Sequence, residues 1–219
     1  MALTENTRTE LQTIADKYPQ ARSALLPMFH LVQSEEGYVS VRGIELCAEV
    51  VDLSLAEVSA VASFYTMFKR HPVGEHHIGV CVNPQCGVLG GEAIWDALTD
   101  NLGIGHDETT PDGKLTIERI ECQAACTYAP SCTVDWEFVD DMSVDKMRDL
   151  VAKLQADEPV DSSRGPQIRS FRATERTLAG FDDGLSNADA NCADAVMLRG
   201  LTVAKERGMT TPTPDGSVN

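Results

Sequence analysis

Positive charge is scarce in this sequence. Its 219 residues carry 18 Lys and Arg against 34 Asp and Glu, a formal net charge of −16. Nucleic acids and anionic membrane surfaces are recognised by clustered cations, so neither is an expected partner. Long apolar runs are missing too. No stretch approaches the ~18 consecutive apolar residues a membrane span needs, so direct membrane insertion is not expected. The opening residues are polar, carry Glu5, Glu10 and Asp16, and contain no apolar leader core. The chain is therefore expected in the cytosol or on the cytosolic side of something larger. No Gly-rich dinucleotide fingerprint and no internal repeat occur. What remains is a chain with 42% hydrophobic residues, enough to bury the core of one or two domains.

The acidity is uneven. Residues 1–74 hold 6 basic and 9 acidic side chains, residues 75–156 hold 5 and 15, and residues 157–219 hold 7 and 10. The middle segment thus carries a net −10, and it also holds five of the seven cysteines.

The first third has helical period. Thr7 to Lys17 places Leu11, Ile14 and Ala15 on one face, and Ala24 to Gln33 places Leu25, Met28, Phe29 and Val32 together. Gly37 ends the second helix, Ser40 caps Val41–Glu49, and Asp52 or Ser54 caps a helix through Phe64. The period then changes. His77–Val82 and Leu115–Ile120 predict strands, Gly90–Leu102 a helix, Pro111-Asp112-Gly113 a turn, and Cys132–Val139 one further strand with Val134, Trp136 and Phe138 on one face. Ser143 caps a helix reaching Leu154. Past Asp157 the period is lost, apart from a weak helix over Ala188–Leu198. The expected organisation is an α/β (α+β) chain: a helical bundle over residues 1–72, a small α/β domain over 73–156, and an irregular extension over 157–219 that wraps a neighbour or lies on the surface.

An odd cysteine count without an export signal argues against a disulfide framework. Cys81 and Cys86 form one spaced pair, Cys122 and Cys126 another, and each pair follows a predicted strand. Ligand sites collect beyond strand ends in α/β sheets. Four thiolates suit a tetrahedral zinc or an iron–sulfur cluster. Neither pair has the two-residue spacing common in zinc ribbons. Gly87, Gly90 and Gly91 follow the first pair, and Ala124, Ala125 and Ala129 surround the second, which allows close backbone approach to a bulky group. The pattern leans toward a cluster and leaves a structural zinc module and a thiol-redox enzyme as alternatives. Against the last, no His or cation stands beside the four cysteines to lower a thiol pKa. Cys47, Cys132 and Cys192 read as bystander thiols, with Cys132 close enough after the second pair to lie near the site.

The run Val80-Cys81-Val82-Asn83-Pro84-Gln85-Cys86-Gly87 resembles the first cluster-binding segment of the thioredoxin-like [2Fe-2S] ferredoxin family, that of the 24 kDa (E) subunit of respiratory NADH-quinone oxidoreductases. Glu121-Cys122-Gln123-Ala124-Ala125-Cys126-Thr127-Tyr128-Ala129-Pro130 resembles the second segment, and Thr110-Pro111-Asp112-Gly113 the turn between them. Phe64-Tyr65-Thr66-Met67-Phe68 and Pro72-Val73-Gly74 match as well, so the resemblance spans roughly residues 8–156. It implies a thioredoxin-like domain behind a helical bundle. It also implies one [2Fe-2S] cluster on Cys81, Cys86, Cys122 and Cys126, one sequence pair to each iron. The resemblance further implies that FMN and the NADH site belong to a partner subunit, that an iron–sulfur-rich subunit is a further partner, and that the whole is peripheral at the inner face of the cell membrane. The equivalent subunit of a NAD-linked formate dehydrogenase or hydrogenase shares these features. One departure is Gln123-Ala124 where the family usually has Leu-Gly, which requires a backbone conformation tolerable to a Cβ at Ala124.

Other candidates are weaker. His71, His76 and His77 read as surface histidines, Lys69-Arg70 as cations at a helix end or a docking contact, and Trp95 and Trp136 as core. The charge map carries its own expectation. Reduction adds negative charge to a four-thiolate [2Fe-2S] centre, and the carboxylates of residues 75–156 oppose it. A potentiometric titration is expected to give a negative midpoint that added salt moves upward by screening; a positive midpoint would contradict the reading.

Overall fold

The computed structural model describes residues 3–165, 167–185 and 195–210. Helix α1 (Glu5–Ala15) starts at a reciprocal capping box between Thr4 and Thr7 and buries Leu11, Ile14 and Ala15. A single 3₁₀ turn at Ala21–Ala24 leads into α2 (Leu25–Glu36), which stops at Gly37 in the left-handed conformation, φ +81°. Ser40 caps α3 (Val41–Val51). Of the two candidate caps for α4 (Leu55–Phe64), Ser54 performs the role with Glu57 completing the box, while Asp52 closes α3. The four helices bury a shared core around Leu11, Met28, Phe29, Leu31 and Val58, with Phe68 edge-on to Phe29 at 5.0 Å.

Five strands follow: β1 (His76–Cys81), β2 (Glu108–Thr109), β3 (Leu115–Ile120), β4 (Cys132–Val134) and β5 (Glu137–Val139). Their order is β2-β3-β1-β4-β5. β1 and β3 run parallel, with Cys81 opposite Ile120, and the other pairings are antiparallel. Between β1 and β2 lie the single turn α5 (Pro84–Cys86), a wide turn over Gly87–Gly91, and α6 (Glu92–Leu102). Ile78, Val80, Leu115, Ile117 and Val134 pack against Ile94 and Leu98 of α6 and against Met147, Val151 and Leu154 of α7 (Val144–Gln155), which Ser143 caps.

The second sheet face is also covered, and here the structure departs from expectation. His77, expected at the surface, is fully buried. Lys69 does not end a helix, since α4 stops at Phe64. It is buried, with Nζ 2.5 Å from Glu118 Oε2 and 5.7 Å from the centre of the Trp136 ring. His77 Nε2 lies 2.9 Å from the same carboxylate. Burial pushes the Glu118 carboxyl up, but His77 and the Lys69 charge outweigh it and bring it to about 2. The polar alternation of β3 thus faces a second interface rather than water.

The expected single strand over Cys132–Val139 is a hairpin, β4-β5, turned at Asp135 (φ +50°) and Trp136 (φ +71°). Positive φ at both central residues matches the twist of a two-residue hairpin. The buried Asp135 carboxylate stabilises the turn, accepting from the His77 backbone N–H at 2.8 Å and pairing with His76 Nδ1 at 2.6 Å. Trp136 is therefore not aligned with Val134 and Phe138.

The extension past residue 157 is less irregular than expected. Asp161 bridges Gln167, and Ser170 caps α8 (Phe171–Leu178), which lies on α2. Phe171 is fully buried, 6.1 Å from the Trp136 ring. Glu175, also fully buried, accepts from Trp136 Nε1 at 2.6 Å and pairs with His30 Nδ1 at 2.6 Å. Arg176 reaches Glu10 at 2.7 Å. A further helix, α9 (Arg199–Glu206), buries none of its residues. The helix expected over Ala188–Leu198 falls largely outside the described residues, and Ala195–Leu198 form a turn. Because α8 fills the seam between bundle and sheet, Phe171→Ala is expected to destabilise the chain by about 3–5 kcal/mol. Leu201→Ala on α9 should stay within about 0.5 kcal/mol. Denaturant melts of both variants measure this, and a Phe171→Ala loss no larger than that of Leu201→Ala would refute the docking of α8.

Candidate metal centre

The parallel pairing of β1 with β3 puts the two cysteine pairs at one end of the sheet. Cys81 is the last residue of β1, and Cys122 follows two residues after the end of β3. Cys86 closes α5, and Cys126 opens a 3₁₀ turn through Tyr128. Cys81 and Cys86 are buried; Cys122 and Cys126 are exposed. Cys122 Sγ lies 3.8 Å from Cys126 Sγ.

The thiols feel one another. Burial pushes Cys86 up to about 11, and its hydrogen bond to Cys81 and the nearby Cys126 add to the rise while the Ser131 backbone opposes it. Hydrogen bonding and charge from Cys122 raise Cys126. Four thiolates together are unfavourable without a bound cationic centre, which is the donor chemistry of a soft metal site. Among the described residues no three His, Cys, Asp or Glu side chains converge on one ion-sized position. The exposed Cys122–Cys126 pair stands at the same sheet end as the buried Cys81–Cys86 pair, near enough for the charge of Cys126 to be felt at Cys86.

The backbone around the pairs is built for close approach. A Cβ on Gly91 would sit 2.5 Å from the Cys81 carbonyl oxygen and 2.9 Å from that of Cys86. Gly90 has φ +122°, a conformation that favours glycine, and a Cβ there would come within 3.9 Å of the Pro130 ring. The small residues noted in the sequence therefore have a steric role. One residue that sequence reasoning passed over is Asn83. Its side-chain N–H donates to the Ile120 carbonyl at 3.2 Å and to Cys81 Sγ at 3.9 Å. Nothing but its place between Cys81 and Cys86 marks it in the sequence.

Of the remaining candidates, Cys132 lies beside the buried pair as expected, with Cys86, Cys81 and the Cys81 backbone around its thiol, and the others lie apart. Cys132 is fully buried in β4 opposite Val80, and burial pushes its thiol far above the ordinary range. Cys47 is buried in the helical core and pushed up to about 12. Cys192 lies outside the described residues. His71 pairs with Asp107 at 2.7 Å and His76 with Asp135, so no histidine of that group joins the cysteines. Trp95 is buried as expected.

Ala124 adopts φ +56°, a left-handed conformation that costs a residue with a Cβ about 1–2 kcal/mol. This is the position where the resemblance asks for glycine. Ala124 is exposed, so the cost is local strain rather than crowding. Ala124→Gly is expected to stabilise the metal-free chain by about 1 kcal/mol, after allowing for the greater freedom of glycine in the unfolded state. A shift of the denaturation midpoint to higher denaturant checks it, and a downward shift would contradict it.

Comparison with known proteins agrees with this geometry. The family profile described as thioredoxin-like [2Fe-2S] ferredoxin matches residues 11–155. The E subunit of the NADH-quinone oxidoreductase of Mycobacterium tuberculosis is 47% identical over 208 residues, covering 95% of this chain and 82% of that protein. Subunit 2 of the NADH-quinone oxidoreductase of Thermus thermophilus is 37% identical over 153 residues, 68% of this chain and 84% of that one. The mycobacterial match thus runs on into the C-terminal third, beyond the family profile. Among solved structures, the air-oxidized NAD+-reducing [NiFe]-hydrogenase shares the fold, with a TM-score of 0.55 at 21% identity over 61% of this chain and 23% of that one. With two cysteine pairs at the end of a mixed five-stranded sheet and a matching profile over most of its length, the chain belongs to the thioredoxin-like [2Fe-2S] ferredoxin family.

Proposed function

We propose that this chain is the electron-transferring E subunit of an NADH-quinone oxidoreductase, and that Cys81, Cys86, Cys122 and Cys126 hold its one [2Fe-2S] cluster. The observation that carries the ligand assignment is the parallel register of β1 and β3, which brings both pairs to one sheet end. The assignment to this enzyme rests on relatives that bear its name and cover most of this chain. The likeness to a NAD+-reducing hydrogenase is one of fold and does not favour that enzyme.

When bound, such a cluster supplies one-electron transfer without a bond or proton change. The chain's own residues do the rest. Cys81 and Cys86 supply a buried, rigid pair anchored on β1 and α5. Gly91 and Gly90 bring backbone close to the site. Cys122 and Cys126 present an exposed pair to a partner. The exposed side chains of Val88 and Leu89 follow Cys86 and form an apolar lip beside the first cysteine pair. That face suits docking of a flavin-bearing, NADH-binding subunit, with which single electrons are exchanged. An iron–sulfur-rich subunit is the further partner. No helix among the described residues is long and apolar enough to cross a membrane. The chain on this reading sits in the peripheral part of the complex, at the inner face of the cell membrane.

Iron and acid-labile sulfide analysis tests the reading, with about two of each per chain expected for a [2Fe-2S] centre. Zinc without sulfide would make the chain a zinc-stabilised interaction module instead. Cys81→Ser and Cys126→Ser are expected to abolish the visible absorption of the cluster, whereas Cys192→Ser should keep it. A full cluster in the first two variants would overturn the ligand set.

A further inference from the structure

We infer that Asn83 is a positioning residue whose side-chain amide raises the reduction potential of the site by donating a hydrogen bond to the Cys81 sulfur while tying the two cysteine-bearing strand ends together. The inference rests on the ligand reading above and goes beyond it.

Asn83 stands where a helix cap would stand. It precedes α5 with extended dihedrals, φ −66° and ψ 164°, yet its side chain caps nothing. The turn is closed instead by the backbone, Gly87 N–H to the Asn83 carbonyl at 2.7 Å. The side chain is thereby released to point back across the strand ends. Its Nδ2 serves two acceptors, the Ile120 carbonyl at 3.2 Å and Cys81 Sγ at 3.9 Å. Ile120 is the register partner of Cys81 and lies two residues before Cys122. One amide group therefore spans the junction from which both pairs hang.

An amide carries two N–H donors, so it can serve sulfur and carbonyl together. A neutral thiol is a poor acceptor, but a metal-bound thiolate is anionic and the bond to it becomes charge-assisted. A donor aimed at such a sulfur stabilises the more negative, reduced form more than the oxidised one. Asn83 thus works against the surrounding carboxylates. A hydrocarbon at this position leaves the sulfur without its donor. A carboxylate of the same shape adds a negative charge and removes the donor.

The test uses the full chain with its cluster assembled, comparing parent, Asn83→Ser, Asn83→Leu and Asn83→Asp. Iron and sulfide are counted, and midpoints are read by spectroelectrochemical titration. The midpoint is expected to fall in the order parent, Ser, Leu, Asp. The sulfur-to-iron absorption of Asn83→Leu should move to longer wavelength, and the serine hydroxyl should restore part of the shift. Loaded variants with the parental midpoint and spectrum would overturn the inference, as would loss of iron from all three, which would leave the amide a purely architectural role. A parent chain with no iron and sulfide would instead fail the ligand reading itself, so the two failures are distinguishable.

Discussion

The parallel pairing of β1 with β3 is the constraint on which the rest depends. Two parallel strands end at the same side of a sheet, so whatever follows each of them meets there. Cys81 ends one strand and Cys122 follows the other, and the register sets Cys81 opposite Ile120. A one-residue slip would turn every side chain of β3 to the other face. Leu115 and Ile117 would leave the α6–α7 core, and Thr116 and Glu118 would enter it. The apolar packing that stabilises the sheet therefore also fixes where the thiols stand.

That dependence explains what was legible in the sequence. The helices of the first third were readable because each has an apolar stripe and a local cap, as at Ser40 and Ser54. Strand β1 and the first cysteine pair were readable because an apolar run ends at Cys81, and β3 because Leu115 and Ile117 alternate with Thr116 and Glu118 up to two residues before Cys122. What escaped was set by tertiary contact. The Cys132–Val139 run has a strand pattern throughout, and only the buried Asp135 carboxylate, held by His76 and the His77 backbone, shows why it turns in the middle. Helix α8 is polar apart from Phe171, Ala173 and Leu178, and Arg172, Glu175 and Arg176 find partners on α1, α2 and the hairpin. His77 and Lys69 were misplaced for the same reason, since a polar residue on a covered sheet face carries no signal that the face is covered. The departure at Ala124 was visible as a residue type, but its left-handed φ was not.

The buried polar seam also makes folding depend on pH, with opposing contributions. Glu118 is pushed to about 2 in the fold from an ordinary 4.5, so its contribution is complete above the ordinary value and is lost as pH falls toward the folded one. Burial lowers His77, so the unfolded chain takes up that proton more readily and acid again favours unfolding. Asp135 acts the other way. Burial pushes it up to about 6, with His76 opposing, so the cost of holding it charged fades as pH drops below that value. The loss from Glu118 continues after the relief from Asp135 is complete. His76, which Asp135 raises against its burial, also favours the fold in acid, so the pH dependence of the seam is the difference between the Glu118–His77 losses and the Asp135–His76 gains.

The two cysteine pairs differ in a way that bears on electron transfer. Cys81 and Cys86 are buried on regular elements, with Asn83, Gly91 and the Ser131 backbone around them. Cys122 and Cys126 are exposed on a loop that tolerates a strained Ala124. On the proposed reading, with one pair to each iron, an iron held by Cys122 and Cys126 would lie closer to water, where added negative charge is better solvated. The carboxylates of the middle segment raise the cost of that charge for the whole site, and water and salt screen it most on the exposed side. On that reading, added charge would be least unfavourable on the exposed side, the one offered to the proposed partner. The buried pair supplies rigidity and the exposed pair supplies access, and the β1–β3 register holds the two together.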